Sequence, residues 1–171
     1  MAERAGVITM KGNPLTLIGE EAGVGRKAPD FTVVDNGLAQ VTAAALRGKV
    51  TVIATVPSLD TPVCDLETRR FNEAAGGLGA DVQVLTISMD LPFAQKRWCG
   101  AAGVKNVRTL SDHRDASFGL AYGVLIKELR LLARAVFVVD RDGIIRYTQL
   151  VKEIATEPDY AAALDAVRKL A

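Results

Sequence analysis

Lys49-Val50-Thr51-Val52-Ile53-Ala54-Thr55-Val56-Pro57-Ser58-Leu59-Asp60-Thr61-Pro62-Val63-Cys64 is the stretch that decides how this chain folds. Its first eight residues are almost all apolar or β-branched, as in a strand buried on both faces. Thr61 followed by Pro62 reads as an N-cap and a first-turn proline, so a helix is expected to start here and to run from Asp65 to about Ala75. Val82-Gln83-Val84-Leu85-Thr86-Ile87-Ser88 reads as a second buried strand, which makes the helix the crossover of a parallel βαβ unit. Cys64 then lies in the first helical turn, where unpaired N–H groups and the positive end of the helix dipole favour an anion. A cysteine in such a place tends towards thiolate, the form that attacks electrophiles.

Outward from this unit, Val7–Met10 and Leu15–Ile18 flank Lys11-Gly12-Asn13-Pro14 and predict an N-terminal hairpin. Asp30–Val34 predicts a short strand, Pro92–Ala102 a second helix carrying Trp98 and Cys99, and Asp115–Tyr122 a third. Ala135–Val139 reads as a strand, turned by Asp140-Arg141-Asp142-Gly143 into Ile144–Thr148. Glu157-Pro158-Asp159 introduces a last helix over Tyr160–Leu170, with Ala163, Leu164 and Val167 at helical spacing. No linker or repeat interrupts this order. The pattern is a single α/β domain over residues 1–171, with a mixed central sheet that is parallel in the middle and antiparallel at its last hairpin. That arrangement is thioredoxin-like, with an extra N-terminal β-hairpin.

Bulk properties narrow the function. At 171 residues, 49% hydrophobic and 24% charged, the chain has the balance of one globular domain with a sizeable core. A net charge of +1 gives no electrostatic case for nucleic acid or an anionic membrane surface. No apolar run approaches the roughly 20 residues of a spanning helix. The opening Met1-Ala2-Glu3-Arg4-Ala5-Gly6 has no basic segment feeding an apolar core, so a cytoplasmic protein is expected. Two cysteines and His113 fall short of a four-ligand zinc set, and Asp140-Arg141-Asp142-Gly143 lacks the rest of a calcium loop.

The residues resemble the peroxiredoxins, and within them the thiol peroxidase subgroup. The family's proline, threonine and cysteine motif appears as Pro57, Thr61 and Cys64, and the subgroup's second cysteine as Cys99 within Asp90–Gly100. Lys11-Gly12-Asn13-Pro14, Ala28-Pro29-Asp30-Phe31, Ala133-Arg134-Ala135-Val136 and Thr156–Tyr160 match as well, so the likeness covers the chain nearly end to end. The resemblance implies a thioredoxin-dependent peroxidase without metal or prosthetic group, acting on hydrogen peroxide and alkyl hydroperoxides. It implies that Cys64 is the peroxidatic nucleophile, that Cys99 resolves its sulfenic acid as an intramolecular disulfide, that thioredoxin reduces that disulfide, and that the chain forms a homodimer packed near the active site.

Elementary chemistry says what else the site must contain. A free cysteine of pKa ~8.5 is already ~3% ionised at pH 7, so full ionisation gains only ~30-fold, about 2 kcal/mol. Enzymes supply ~8 kcal/mol or more. Other groups must therefore bind the substrate and the charge moving onto its leaving oxygen. The candidates are the Thr61 hydroxyl, the N–H groups around Val63 and Cys64, and Arg134. The last interrupts the apolar run Leu131–Val139 and would be costly there unless it met an anion. Pro57 would shape the loop and shield the sulfur. Asp65 and Glu67 argue mildly against a thiolate and are expected to project into solvent. Since two helix-borne cysteines do not readily meet the ~4.4–6.8 Å Cα separation of a disulfide, local unwinding is expected on oxidation, with the Gly76-Gly77-Leu78-Gly79 turn and Gly100 as places of give.

Blander readings stand beside these. Cys64 could be an inert small hydrophobe, Cys99 a packing partner of Trp98, Thr61 a cap, Arg134 a surface residue with a buried stem and Pro57 a strand terminator. Leu125, Ile126, Leu129, Leu131 and Leu132 read as core or interface. A peroxide sensor or redox relay would need the same reactive Cys64, whereas a dithiol oxidoreductase lacks its C-x-x-C pair here.

Overall fold

The computed structural model describes the whole chain, Met1–Ala171. Its ten strands are β1 (Glu3–Met10), β2 (Asn13–Ile18), β3 (Thr32–Val34), β4 (Gln40–Thr42), β5 (Val50–Thr55), β6 (Val82–Ser88), β7 (Val107–Ser111), β8 (Leu125–Ile126), β9 (Ala135–Val139) and β10 (Ile145–Leu150). The helices are α1 (Pro62–Ala75), α2 (Pro92–Ala102), α3 (Ser117–Ala121) and α4 (Tyr160–Leu170). Seven strands form one sheet in the order β10-β9-β5-β6-β7-β3-β4. β5, β6 and β7 pair in parallel, while β9 runs antiparallel to both β5 and β10. The mixed sheet expected from the sequence is present, as is the N-terminal hairpin.

Alternation along the strands sorts the core into two layers. Val50, Val52 and Ala54 of β5 face the same side as Val84, Val136 and Val138, where Phe71 of α1 and Ala163 and Val167 of α4 cover them. Ile53, Leu85, Ile87, Phe137 and Val139 face the other side, against Leu15 and Leu17 of β2 and Phe118 of α3. Phe71 also meets the Tyr160 ring edge-on, with centroids 5.2 Å apart. An aromatic pair of this kind adds about 0.5–1.5 kcal/mol beyond its buried area, so the contact helps tie α1 to the start of α4.

Three strands escape the sequence reading. β8 adds to β2 through Leu17–Ile126 and Ile18–Leu125, turning the N-terminal hairpin into a three-stranded sheet of its own. β7 and β4 complete the far half of the main sheet. Leu125, Ile126 and Leu132 are buried core, whereas Leu129 is exposed. No helix is long and apolar enough to cross a membrane.

Candidate active site

The site is built where β5 ends. The Val56 N–H still donates to the Ile87 carbonyl at 3.1 Å, and the buried Pro57 then turns the chain out of the sheet. The loop it opens is held by Asp90, at the start of the segment leading into α2. Asp90 accepts from the Ser58 hydroxyl at 2.7 Å, the Leu59 N–H at 2.8 Å and the Ser88 hydroxyl at 2.7 Å. Sequence reading did not single out Asp90, because the groups it gathers come from both ends of a crossover. Beside this loop an open hollow of about 340 Å³ is lined by Leu59, Asp90, Arg97 and Trp98 among others.

α1 begins after Thr61, as Thr-Pro predicts, but the Thr61 side chain does not cap it. Its hydroxyl donates instead to the Ser58 carbonyl at 2.8 Å, and the residue is exposed. Thr61 thus makes no hydrogen bond to Cys64; its one proton is committed to Ser58 and its lone pairs stay open to a donor. The first helical N–H to bond back is that of Asp65, to the Thr61 carbonyl at 2.9 Å. Pro62 has no N–H, so those of Val63 and Cys64 are the free donors of the helix start.

The Cys64 thiol is fully buried, packed among Val56, Leu59 and Trp98. Antiparallel pairing of β5 with β9, ending at Thr55 opposite Ala135, brings Arg134 beside it. Arg134 is only 2% exposed. Its Nη2 donates to Cys64 Sγ at 3.4 Å, and Nε and Nη2 both donate to the Ile154 carbonyl, at 3.0 and 2.8 Å. Its Nη1 meets Glu67 Oε2 at 2.5 Å. The expectation that Arg134 is buried against an anion therefore holds, and the blander reading of it as a surface residue does not.

The solvent-facing expectation for Glu67 fails. Glu67 is fully buried, because a residue three positions after Cys64 in a helix shares its face, and that face is the inner one. The same spacing was the signal that could have found it. Burial pushes the Glu67 carboxyl up from its ordinary value, against the pull of Arg134. Its Oε1 has no hydrogen-bond partner, which is why desolvation prevails. Burial alone would lower Arg134, but Glu67 first and Cys64 second hold its guanidinium up. One permanent cation thus serves two acids. Asp65 is half-buried and accepts from Trp98 Nε1 at 2.8 Å and Arg69 Nε at 2.9 Å.

Cys64 and Arg134 are brought together, with Pro57 buried on the loop that leads from β5 and Thr61 exposed at the helix start. Cys99 is not with them. It is a free, half-buried thiol on α2, and its Sγ lies 3.3 Å from Thr109 Oγ1 on β7. Thr109 in turn donates to Asn36 Oδ1 at 3.1 Å. With the Thr109 proton given to Asn36, the Cys99 thiol is the donor of the contact. Both cysteines sit in intact helices and point at different partners.

A protein-family model described as Redoxin matches residues 23–164. The thiol peroxidase of Bacillus subtilis (strain 168) is 58% identical over 163 residues, covering 95% of this chain and 97% of that protein. The thiol peroxidase of Staphylococcus aureus (strain MRSA252) is 56% identical over 163 residues, covering 95% and 98%. Among solved structures, a peroxiredoxin-like protein from Aquifex aeolicus superposes with a TM-score of 0.91 at 45% identity, covering 98% of each chain. A buried thiol at a helix start, a guanidinium on its sulfur and these likenesses together place the chain in the Redoxin family, among the thiol peroxidases, which are peroxiredoxin enzymes.

Proposed function

We propose that Cys64 is the peroxidatic nucleophile of a single-domain, cytoplasmic thiol peroxidase and that Cys99 resolves it. The observation that carries this reading is the buried Cys64 sulfur 3.4 Å from Arg134 at the start of α1. The Cys64 thiolate attacks the terminal oxygen of R–O–OH, the O–O bond breaks, Cys64 becomes sulfenic acid, and the released RO⁻ takes a proton to leave as alcohol or water. Arg134 and the free N–H groups of Val63 and Cys64 stabilise the negative charge as it passes from sulfur to the leaving oxygen. Thr61 accepts the peroxide O–H through its open lone pairs, and Pro57 keeps water from the sulfur. The hollow of about 340 Å³ beside Leu59 leaves room for an organic substituent, which supports alkyl hydroperoxides as well as hydrogen peroxide as substrates.

In the second half of the cycle the Cys99 thiol attacks the Cys64 sulfenic sulfur, forming the disulfide and releasing water. Thioredoxin, a dithiol, then reduces that disulfide by exchange. The exposed Leu91, Phe93 and Leu66 around α1 and α2 offer apolar surface to that reductant or to a second copy of the chain in a homodimer. Peroxide-dependent NADPH oxidation, coupled through thioredoxin and its reductase, tests the cycle. Wild type is expected to turn over with hydrogen peroxide and cumene hydroperoxide, Cys64→Ser to be inactive, and Cys99→Ser to lose thioredoxin-supported cycling. A wild type that forms Cys64 sulfenic acid yet turns over with no thiol reductant would instead make the chain a peroxide sensor.

A further inference from the structure

The residues next to the two cysteines are bonded to each other. Trp98, which precedes Cys99, donates its indole N–H to Oδ1 of Asp65, which follows Cys64, at 2.8 Å. Arg69 closes the group: its Nε meets Asp65 Oδ2 at 2.9 Å, its guanidinium lies 5.8 Å from the centre of the Trp98 ring, and its Nη1 donates to the Ala102 carbonyl at 3.4 Å. The first turn of α1 is thereby tied to the last turns of α2. We infer that the Asp65–Trp98 bond is a latch that holds both cysteine helices in their peroxide-ready form, and that its release sets how fast the Cys64 sulfenic acid is resolved. This rests on the proposed roles of Cys64 and Cys99, and it makes Asp65 and Trp98 positioning residues.

The geometry requires the bond to break. Adjacent residues in a helix point about 100° apart. Trp98 faces α1, where it packs on Cys64 and Leu59, so Cys99 faces β7 and its Thr109 hydroxyl. Cys99 cannot turn towards α1 while Trp98 occupies that side; α2 must roll or unwind, and either motion pulls the indole from Asp65. The sulfenic acid waits during that time, and a second peroxide in the interval carries it to sulfinic acid. A stronger latch therefore means slower resolution and easier over-oxidation, and a weaker one the reverse.

Trp98 is the only tryptophan of the chain, so its emission reports the latch directly. The test is a single turnover of the full-length enzyme with hydrogen peroxide, quenched with an alkylating reagent and read by mass spectrometry. Trp98→Phe keeps an apolar ring and removes the donor; Asp65→Ala removes the acceptor. Each is expected to speed formation of the Cys64–Cys99 disulfide about tenfold, the net worth of one charge-assisted hydrogen bond. Each should also raise, by about the same factor, the peroxide needed to convert half of Cys64 to sulfinic acid. Asp65→Asn keeps an acceptor oxygen without its charge and is expected to fall between wild type and Asp65→Ala. The double variant should be no faster than either single one, as two ends of one bond must be. In Asp65→Ala the loss of a charge beside Cys64 can also alter the peroxide step, whereas Trp98→Phe keeps that charge; agreement of the two on resolution alone marks the bond as the cause.

Disulfide formation at the wild-type rate in both single variants, or effects that multiply in the double variant, would overturn the latch and leave the two-cysteine cycle standing. So would an unchanged Trp98 emission when wild type passes to the disulfide. If wild type itself yields no Cys64–Cys99 disulfide, the proposed cycle and the latch fall together.

Discussion

Cys64 and Cys99 are both helix-borne thiols, and their surroundings differ in every respect that governs sulfur chemistry. Cys64 lies in the first turn of α1, has no solvent exposure and touches a guanidinium that is itself buried. Cys99 lies three residues from the end of α2, is half-buried, and gives its thiol hydrogen to a neutral hydroxyl. Removal from water would ordinarily make the first sulfur the more inert. The contrast teaches what the proposed role of Cys64 requires: a buried thiol needs a cation beside it whose own desolvation has already been offset. Here Glu67 and the Ile154 carbonyl hold Arg134 in place whether or not the sulfur is charged.

Removing the cation should erase the contrast. Arg134→Gln is expected to slow the reaction of Cys64 with hydrogen peroxide by about 100-fold or more, the scale of a lost transition-state donor. Iodoacetamide labelling of Cys99, measured in the same samples, should not change. The substitution also strands Glu67, and breaking one side of a buried ion pair costs about 3–5 kcal/mol of stability. Arg134→Gln/Glu67→Gln should recover most of that loss in urea unfolding without recovering the peroxide rate. Recovery of both together would mean that Arg134 serves the fold alone and that the two cysteines differ less than their surroundings suggest.

Glu67→Gln probes the same contrast from the other side. Glu67 and the Cys64 thiolate draw on one guanidinium, so a neutral glutamine that keeps the contact to Nη1 should leave Arg134 wholly to the sulfur. A rise of about 3- to 10-fold in the peroxide rate is expected at a pH above the Glu67 titration, shrinking as pH falls and the wild-type carboxyl takes up its proton, read by stopped-flow emission of Trp98. The stability profile should change as well. Because the folded-state carboxyl titrates above its unfolded value of about 4.5, its contribution is complete below that pH and is lost as pH rises towards neutrality. Thermal midpoints of Glu67→Gln and wild type should therefore diverge with rising pH, the variant being the less affected. A slower enzyme would show that the Glu67 charge is needed to aim Arg134 rather than to compete for it.

How much of this contrast the sequence carried depends on how local each half is. β5, β6 and the start of α1 are written in adjacent residues: unbroken β-branched runs, then Thr61 and Pro62. Arg134 was legible because a lone charge in an apolar run needs a partner. Its partner was not legible from composition, since Glu67 in isolation reads as a solvated helix residue; only its spacing from Cys64 places it inside. The cap expected of Thr61 is missing for a similar reason: its hydroxyl turns to donate to the Ser58 carbonyl of the loop, and its oxygen accepts from no helix N–H. β8 has two residues and no period to read, and its pairing with β2 spans more than a hundred positions. The setting of Cys99 is of this non-local kind throughout, made by Thr109 and Asn36 from separate strands and loops.

Thr109 gives the finest test of the comparison. Thr109→Val replaces the hydroxyl with a methyl of nearly the same size on a strand whose five residues all pair with β6, so β7 should persist. The thiol then loses its acceptor, while α2 keeps its other anchors: the Trp98 bond to Asp65 at 2.8 Å, and the Gln95 amide, which donates to the Ser88 hydroxyl at 3.0 Å and the Leu110 carbonyl at 2.8 Å. A thiol is a weak donor, and the net value of such a contact is about 1 kcal/mol or less. Iodoacetamide labelling of Cys99 should accelerate about 2- to 5-fold as the end of α2 opens more often, while the peroxide rate of Cys64 stays at the wild-type value because no atom of its pocket has moved. If Cys99 labels more slowly instead, Thr109 was holding the thiol towards a second open hollow, lined by Asn36, Cys99, Val107 and Thr109 among others, and access rather than anchoring would separate the second cysteine from the first.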